Sequence, residues 1–362
     1  MKLQELETPA LVVDLDIMER NLRRMQDYCS SHGLDLRPHI KTHKSPLLAK
    51  YQLELGATGI TVAKLGEAEV MVEAGFDDIL IAYPVFGGQK ARRLAALQER
   101  ARISVSLDSS DSLHWVAQAA RPDRPLAVLV EVDFGMRRCG LPPGEEVLKL
   151  AREIEAQPGL EFGGLMFYSG HVHPDFDGNR RRLERLRDEL MRQLELLRRE
   201  GLSVPRVTGG NTPAAYYSHE VEGLTEIRPG TYIFNDRNTV SWKACQWHDC
   251  AAFLWVTVVS TAVPGQAIID GGSKTFTSDP LITGPGGGHG YLPDYPEAEF
   301  VRMNEEHGYV KQGEGKRLEL GQKVAVIPNH ICVAVNLHDQ VWGIRHGEIV
   351  KEWEVAARGR IR

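Results

Sequence analysis

The sequence predicts an α/β protein, a (β/α)8 barrel of the TIM type followed by a mostly β domain. In the first two-thirds of the chain, short apolar runs alternate with longer amphipathic runs. About eight such units are typical of a closed parallel sheet with helices outside it. After about Asp236, strand-like runs follow one another without amphipathic segments. We place the barrel at residues 1–240 and the β domain at residues 241–362. Residues 1–10 could also join the β domain.

The elements follow from residue periodicity, taken in chain order. The run at 179–201 has leucines at helical spacing and therefore one apolar face. A Gly- and Pro-rich segment at 283–296 is predicted to be a loop that reaches toward the site. The strands predicted in the first part are residues 10–14, 59–64, 78–83, 103–108, 126–133, 163–168 and 207–210. The predicted helices are residues 15–31, 66–74, 89–100, 144–156 and 179–201, and the later strands are 253–259, 267–270, 323–327 and 341–344.

Bulk composition limits the kind of protein this is. The 362 residues include 42% hydrophobic and 25% charged residues, which is ordinary for a globular protein. The net charge of −6 provides no basic field for nucleic acid. The amino-terminal segment lacks a signal-peptide core, and no apolar run is long enough to span a bilayer. Five scattered cysteines favour reduced thiols, so we expect a cytoplasmic protein with no nucleic-acid or membrane partner.

Residues 37–44, Arg-Pro-His-Ile-Lys-Thr-His-Lys, combine two lysines, two histidines and an arginine after a short apolar rise. We expect a strand to end here and to present Lys41 at the mouth of the barrel, where barrel enzymes carry their chemistry. Neighbouring cations disfavour an ammonium group and would lower the pKa of the lysine, which makes it a nucleophile for Schiff-base chemistry. The local charge pattern alone also fits a solvated basic turn.

Other polar clusters follow later predicted strands, at residues 133–140, 168–173, 209–213 and 226–232. The Gly-Gly-Asn-Thr run at 209–212 would offer clustered backbone N–H donors, which suit a phosphate. A plain tight turn explains this run equally well by itself, but Gly230 and Tyr232 add donors nearby. A phosphate site together with a lysine at a barrel mouth indicates pyridoxal phosphate.

These segments resemble the fold-type III pyridoxal-phosphate enzymes, the class of alanine racemase. Within that class, the chain is most similar to the D-threonine aldolase and D-serine dehydratase family. The matching segments occur in family order and run through nearly the whole chain. The signatures Arg-Pro-His-Ile-Lys-Thr-His-Lys and Pro-Asn-His-Ile-Cys are specific, and the Gly-rich ones are weaker. The matching residues are 37–44, 133–140, 209–213, 226–236, 270–274 and 328–337.

The resemblance implies a role for each cofactor-site residue. Lys41 would be the Schiff-base lysine, and Arg138 would bind the phenolic oxygen of the cofactor. Arg228 matches the position that faces the pyridine nitrogen, although the following Pro229 could alter the local path. Tyr168 and His171 would lie close to the cofactor as catalytic groups, but a strand-end tyrosine with a capping histidine fits the same positions. The residues implied to hold the phosphate are Gly210, Asn211, Thr212, Gly230 and Tyr232.

His330 and Cys332 are the candidate metal ligands. On a strand, alternate side chains point the same way, so the imidazole and the thiol would converge. This pair suits Zn²⁺, with Mn²⁺, Co²⁺ and Mg²⁺ as alternatives. A half-buried histidine beside an ordinary cysteine fits the local pattern too. The resemblance supports a metal, because D-serine dehydratases have His-x-Cys here and D-threonine aldolases usually have His-x-Asp. Two protein ligands leave positions open for water and substrate oxygens.

Three further sets of residues are weaker candidates. His171 and His173 could form another metal site, although both lie in a loop where a solvated role fits as well. Cys245 and Cys250 flank Trp247 and His248 and only loosely resemble a zinc knuckle, so we interpret them as packing residues or free thiols. His307 could enter the active site from the β domain.

The expected activity is that of a lyase dependent on pyridoxal phosphate and a divalent metal, acting on D-3-hydroxy amino acids. If a base, for which Lys41 is the candidate, removes the α-proton, elimination gives a 2-oxo acid and ammonia. If the β-hydroxyl loses its proton, glycine and an aldehyde result. Cys332 in place of a carboxylate favours dehydration. A racemase would need a second base whose signature is not visible, and a non-catalytic carrier would resemble the barrel alone. The resemblance also implies a homodimer.

Overall fold

The computed structural model describes residues 1–173, 179–282 and 287–362. The strands, in chain order, are β1 (Ala10–Asp14), β2 (Asp35–Leu36), β3 (Ile60–Val62), β4 (Asp78–Ile81), β5 (Arg102–Leu107), β6 (Leu126–Glu131), β7 (Leu160–Met166), β8 (Val207–Gly209), β9 (Glu226–Ile227), β10 (Ala252–Ser260), β11 (Gln266–Ile269), β12 (Gly290–Tyr291), β13 (Glu299–Met303), β14 (Gly308–Lys311), β15 (Lys323–Pro328), β16 (Gln340–Arg345) and β17 (Glu348–Glu354). The α-helices are α1 (Leu15–Ser31), α2 (Pro46–Glu54), α3 (Leu65–Glu73), α4 (Gly88–Arg100), α5 (Ser110–Ala117), α6 (Glu145–Glu155), α7 (Asn179–Arg199), α8 (Arg237–Ser241) and α9 (Ile331–Leu337).

The chain divides into two compact units. The β unit contains residues 1–24, 42–45 and 231–359, and the barrel unit contains residues 25–41, 46–230 and 360–362. This division assigns residues 231–240 to the β unit, whereas the prediction placed them in the barrel. Residues 1–24 also belong to the β unit, beyond the ten residues that the prediction allowed, because β1 pairs with β10 and β16 of its sheet.

The barrel unit is built on an eight-stranded parallel sheet. Its strand order is β2-β9-β8-β7-β6-β5-β4-β3, and a parallel bridge between His39 and Thr61 joins the two ends of this series. Leu80, Leu129 and Met166 pack together in its buried core. Helices such as α6 turn one apolar face to the sheet, because their apolar residues recur at helical spacing. The predicted (β/α)8 fold is confirmed.

The β unit is a nine-stranded sheet. Its main order is β13-β14-β11-β10-β1-β16-β17, with β15 paired to both β10 and β12. The long strand β10 contacts β1, β11 and β15, and its alternate residues Leu254, Val256 and Val258 are fully buried. The alternation places one face of this strand in the core.

Several elements differ from the sequence prediction. Strand β2 was predicted only as a strand that ends at residues 37–44, without bounds, and β9 was not predicted, because two residues each are too few to show a periodicity. Helices α8 and α9 lie among the later strands, where none was predicted. Of the predicted loop 283–296, residues 283–286 lie outside the described residues, and β12 forms within the remainder. No described helix combines the length and the apolar character needed to cross a membrane.

Candidate active site

Lys41 lies in a short 3₁₀ helix, Ile40–Thr42, at the carboxyl end of the strand that begins with β2. The backbone remains extended beyond β2, because the His39 N–H donates to the Pro229 carbonyl at 3.0 Å. The Lys41 N–H then approaches His39 Nδ1 at 3.5 Å. The structure therefore places Lys41 where the sequence predicted it, after a barrel strand.

The neighbouring cations of this segment have other partners. Arg37 donates to Glu226 at 2.7 Å and to Asp78 at 2.6 Å, the first residues of β9 and β4. Burial lowers the pKa of Arg37, but the two carboxylates outweigh it and the pKa is raised overall. Lys44 Nζ donates to the Ala357 carbonyl at 3.5 Å. Arg37 therefore pairs with carboxylates at the amino-terminal end of the barrel strands and not with the Lys41 amine.

The Tyr168 ring lies near both Lys41 and Arg138. The Lys41 Nζ lies 6.0 Å from the centroid of the Tyr168 ring, and the Arg138 guanidinium carbon lies 4.4 Å from it. The second distance is typical of a cation–π contact. Gly170 is required beside this ring, because a Cβ there would lie 2.3 Å from Tyr168 Cε1. Three of the predicted residues are thus brought together.

The turn after β8 provides a cluster of backbone donors. Gly210 has a φ of 82°, a left-handed conformation that glycine adopts most readily. The Asn211 amide donates to the carbonyls of Ser169 and Val172 and accepts the Ala214 N–H, which holds the turn in place. Within residues 1–173, 179–282 and 287–362, the N–H groups of 210, 211 and 212 have no protein acceptor. Buried N–H groups normally have a partner, so this cradle fits a bound phosphate.

Arg228 lies buried below the same strand ends. Its Nη2 donates to the Phe167 carbonyl at 2.6 Å, and its Nε donates to Thr208 Oγ1 at 3.0 Å. Burial lowers its pKa to about 10. Glu131, at the end of β6, is a buried acid that sequence reasoning missed, and burial raises its pKa although Arg228 lowers it. The sequence feature that could have identified Glu131 is a single carboxylate at the end of the apolar run 126–131.

The remaining phosphate candidates fall in different units. Gly230 is buried at the end of the barrel unit. Tyr232 is buried in a 3₁₀ helix, Thr231–Ile233, of the β unit. Their shared role in holding a phosphate stays a prediction.

His171 lies beside the loop that follows β6. Its Nε2 is close to Gly135, where a Cβ would lie 3.3 Å away. Its Nδ1 is buried and has no hydrogen-bond partner among the described residues. Burial lowers the pKa of His171, and Arg182 lowers it further, so the ring is neutral near neutral pH. A neutral imidazole in this position can accept a proton.

His330 and Cys332 come together at the start of a helix, not on a strand. His330 is the N-cap of α9, and Cys332 lies in its first turn, so the strand prediction is wrong here. The side chains still converge, because His330 and Cys332 hydrogen-bond to each other. The negative charge of Cys332 raises the pKa of His330 to about 11, a hydrogen bond that His330 donates to Asp236 acts in the same direction, and burial opposes both. An imidazole and a thiol together fit a borderline-soft ion.

Hydroxyl and carboxylate groups surround this pair. Thr42 Oγ1 lies 3.2 Å from Cys332 Sγ, and Thr231 Oγ1 lies 3.7 Å from it. Asp236 Oδ2 lies 3.1 Å from His330 Nδ1. In the described part of the chain, no group of three or more histidine, cysteine or acidic side chains could hold a metal. The pair could therefore offer a metal two protein ligands.

The weaker candidates have ordinary environments. Cys245 and Cys250 are buried free thiols, and the neighbouring Cys245 together with burial raises the pKa of Cys250. His307 is exposed between β13 and β14. His171 and His173 form no ligand group of three within the residues described.

Comparisons with known proteins match both parts of the chain. A model of the alanine racemase N-terminal domain matches residues 13–238, and a model of a putative serine dehydratase domain matches residues 251–344. D-threonine aldolase from Arthrobacter sp. is 36% identical over 372 residues, and the match covers 99% of this chain and 94% of that protein.

Solved structures of related enzymes are also similar to this chain. D-threonine aldolase from Filomicrobium marinum superposes with a TM-score of 0.93 at 33% identity, covering 100% of this chain and 98% of that one. D-threo-3-hydroxyaspartate dehydratase from Delftia sp. HT23 gives a TM-score of 0.88 at 29% identity, covering 98% of both chains. A cysteine-to-alanine variant of that dehydratase is known in a metal-free form. The chain therefore belongs to the D-threonine aldolase and D-serine dehydratase family of alanine racemase-like, pyridoxal-phosphate-dependent lyases.

Proposed function

We propose that the protein cleaves D-3-hydroxy amino acids and that it favours dehydration to a 2-oxo acid and ammonia. The observation that carries the proposal is the converged His330–Cys332 pair, supported by two threonine hydroxyls on the sulfur. A racemase of this fold has no need for such a pair. Two protein ligands leave coordination positions for substrate oxygens, as a catalytic metal site requires.

The cofactor residues fit pyridoxal phosphate. The three N–H groups at 210–212 would receive the phosphate, and Lys41 would hold the cofactor covalently. Arg138 would bind the phenolic oxygen beside Tyr168. Arg228 would face the pyridine nitrogen as a buried cation, although two of its donors already bind Phe167 and Thr208. When bound, the cofactor stabilises negative charge at Cα, and a divalent ion lowers the pKa of a coordinated hydroxyl.

The protein groups then divide the proton transfers. Lys41, freed by the incoming amino group, would remove the α-proton for elimination. His171, neutral because burial lowers its pKa, could accept a proton from the β-hydroxyl, which would instead favour cleavage of the Cα–Cβ bond. The Tyr168 ring lies near both cations, 6.0 Å from Lys41 Nζ and 4.4 Å from the Arg138 guanidinium carbon. The reaction outcome thus depends on which proton leaves first.

Aldol cleavage is the second candidate. The overall likeness favours it, because the two aldolases match at 36% and 33% identity and the dehydratase at 29%. The ligand pair favours dehydration, since a thiol stands at the second ligand position and a cysteine-to-alanine variant of the solved dehydratase is described in a metal-free form. Zn²⁺ is the metal we propose, with Mn²⁺, Co²⁺ or Mg²⁺ as alternatives.

Product analysis tests this function. Purified protein loaded with pyridoxal phosphate and Zn²⁺ is incubated with D-threonine, with L-threonine as the stereochemical control. 2-Oxobutanoate and ammonia would support dehydration, and glycine with acetaldehyde would establish the aldolase. Recovery of threonine inverted at Cα, insensitive to a chelator, would overturn the lyase in favour of a racemase.

We also propose a homodimer in the cytoplasm. The family resemblance supports the dimer, and five free thiols support a reducing compartment. Light scattering coupled to gel filtration should give twice the mass of the 40.4 kDa chain. A monomeric mass at micromolar concentration would contradict the dimer.

A further inference from the structure

Asp236 connects two short helices of the β unit. It is the N-cap of α8, and it also accepts the Ile331 N–H in the first turn of α9. Its relative exposure is 0%, so water does not solvate the carboxylate. A buried carboxylate must find its hydrogen bonds within the protein.

Both of its oxygens are occupied. Oδ1 accepts the Thr239 N–H at 2.9 Å, with Thr239 Oγ1 at 3.1 Å. Oδ2 accepts the Ile331 N–H at 3.1 Å and lies 3.1 Å from His330 Nδ1. Because a backbone N–H can only donate, Oδ2 is an acceptor. The Nδ1 atom beside it must therefore carry a proton, since a bare ring nitrogen would face the carboxylate lone pairs.

This bond determines which ring nitrogen can bind a metal ion. With Nδ1 protonated and held by Asp236, Nε2, on the opposite side of the ring, is the nitrogen that can give up its proton to a metal ion. A hydrogen bond at one imidazole nitrogen selects the other as the metal ligand and fixes the ring orientation. The same helix turn carries Cys332, so the orientation of the ring decides whether the two donors converge.

We propose that Asp236 is a positioning residue that fixes the tautomer and the rotamer of His330, so that Nε2 binds the metal. The inference rests on the proposed metal site and adds the residue that organises it. Asp236 does not touch the metal. The competing explanation is that Asp236 only caps the two helices, in which case its loss would lower stability without a specific effect on metal affinity.

The test is a double-mutant cycle on the cofactor-loaded protein, with Zn²⁺ affinity measured by competition against a chromogenic chelator. Asp236→Asn should weaken Zn²⁺ binding by about 10- to 100-fold. In a His330→Ala background the same substitution should have little further effect, because the ring that Asp236 positions is absent. An equal loss in both backgrounds, or no loss in either, would overturn the proposal.

Asp249 provides a matched control. It is another buried aspartate of the β unit that accepts a helix-start N–H, from Gln246 at 3.0 Å, and it pairs with Arg24 at 3.2 Å. Asp249→Asn should lower the melting temperature and leave Zn²⁺ affinity unchanged. If it weakened Zn²⁺ binding as much as Asp236→Asn does, a general loss of stability would explain both results.

A measurement on the unmodified protein covers the case in which Asp236→Asn does not fold. ¹⁵N-histidine NMR or a crystal structure of the Zn²⁺-loaded protein identifies the coordinating nitrogen of His330. Nε2 coordination with an Nδ1 proton supports the proposal, and Nδ1 coordination overturns it. The metal site itself is judged separately: if His330→Ala and Cys332→Ala leave Zn²⁺ affinity unchanged, that site is wrong and the role of Asp236 fails with it.

Discussion

The proposed phosphate cradle and the proposed metal pair differ in the groups that form them. In the barrel unit, the proposed cradle consists of backbone N–H groups in a turn that Gly210 and the Asn211 amide stabilise. In the β unit, the proposed metal pair consists of two side chains, His330 and Cys332, that contact other side chains, Asp236 and the threonines. A backbone cradle depends on the path of the chain, whereas a side-chain pair depends on single atoms. Single substitutions should therefore reduce ligand binding moderately in the cradle and strongly in the metal pair. Lys41 is the exception in the barrel unit, because its side chain would bind the cofactor directly.

The largest effect should come from Lys41→Ala. This change removes the only covalent attachment that we propose for the cofactor together with the proposed base, so turnover should fall by at least about 10³-fold. Steady-state product formation and the visible absorption of the bound cofactor measure it. Lys44→Ala is the control, since that amine binds a backbone carbonyl, and it should retain turnover. Comparable losses in both variants would mean that the segment has only a structural role.

Cys332→Asp tests the side-chain pair most directly. A carboxylate at this position reproduces the His-x-Asp pattern of the aldolases, so the product ratio should shift from 2-oxobutanoate toward glycine and acetaldehyde. Cys332→Ala should instead lower Zn²⁺ affinity and turnover together by about 10²-fold, while cofactor absorption stays unchanged. An unaltered product ratio in Cys332→Asp would show that the second ligand does not choose the reaction.

His171 should make the rate of aldol cleavage depend on pH. Because its pKa is lowered below the ordinary 6.5, the ring stays neutral as pH falls through 6.5, and its contribution is lost only below the lowered pKa. The part of the rate that needs this base should therefore have its acidic limb below pH 6.5. By the same linkage, the contribution of His171 to stability is present above pH 6.5 and declines as pH falls. His171→Asn should lower aldol cleavage by about 10²-fold and remove this limb from the pH–rate profile. A limb that persists unchanged would assign it to another group.

The smallest effect should come from the cradle. Gly210→Ala meets no close atom, so its cost is the left-handed backbone alone, about 1–2 kcal/mol. Distortion of the turn should weaken pyridoxal-phosphate binding by about tenfold, measured by titration of the apo-protein. Gly201→Ala has the same kind of backbone, with a φ of 81°, at the end of α7. It should cost similar stability but leave cofactor affinity unchanged. Equal pyridoxal-phosphate affinities in Gly210→Ala and Gly201→Ala would contradict the proposal that the turn at 210–212 binds the phosphate.

The sequence was sufficient for the barrel because its strands are buried on both faces and its helices on one, and both patterns are periodic. The strand 10–14 and the helix 15–31 match the observed bounds. The candidates Lys41, Tyr168 and Arg138 could be placed together because parallel strands end on one edge. The turn of α9 could not be predicted, because the Ile331 N–H is capped by a carboxylate 95 residues away. Asp236 and Glu131 were missed for the same reason: only the folded chain shows their partners.

The position of β1 has a consequence for how the chain is made. Ala10 pairs with Trp255, and Val12 pairs with Trp342, so the first strand is flanked on both sides by late segments of the sequence. A ribosome delivers the whole barrel sequence before either partner of β1 exists. The barrel sequence is thus inserted between two parts of the β unit. It can fold before the second part has been synthesised, since domains generally fold as units during synthesis. The β unit must then close a loop of more than two hundred residues, and such non-local pairing is slow. The His330–Cys332 pair at α9 is therefore assembled among the last parts of the molecule. The apolar strand β1 stays unpaired at least until β10 has been synthesised.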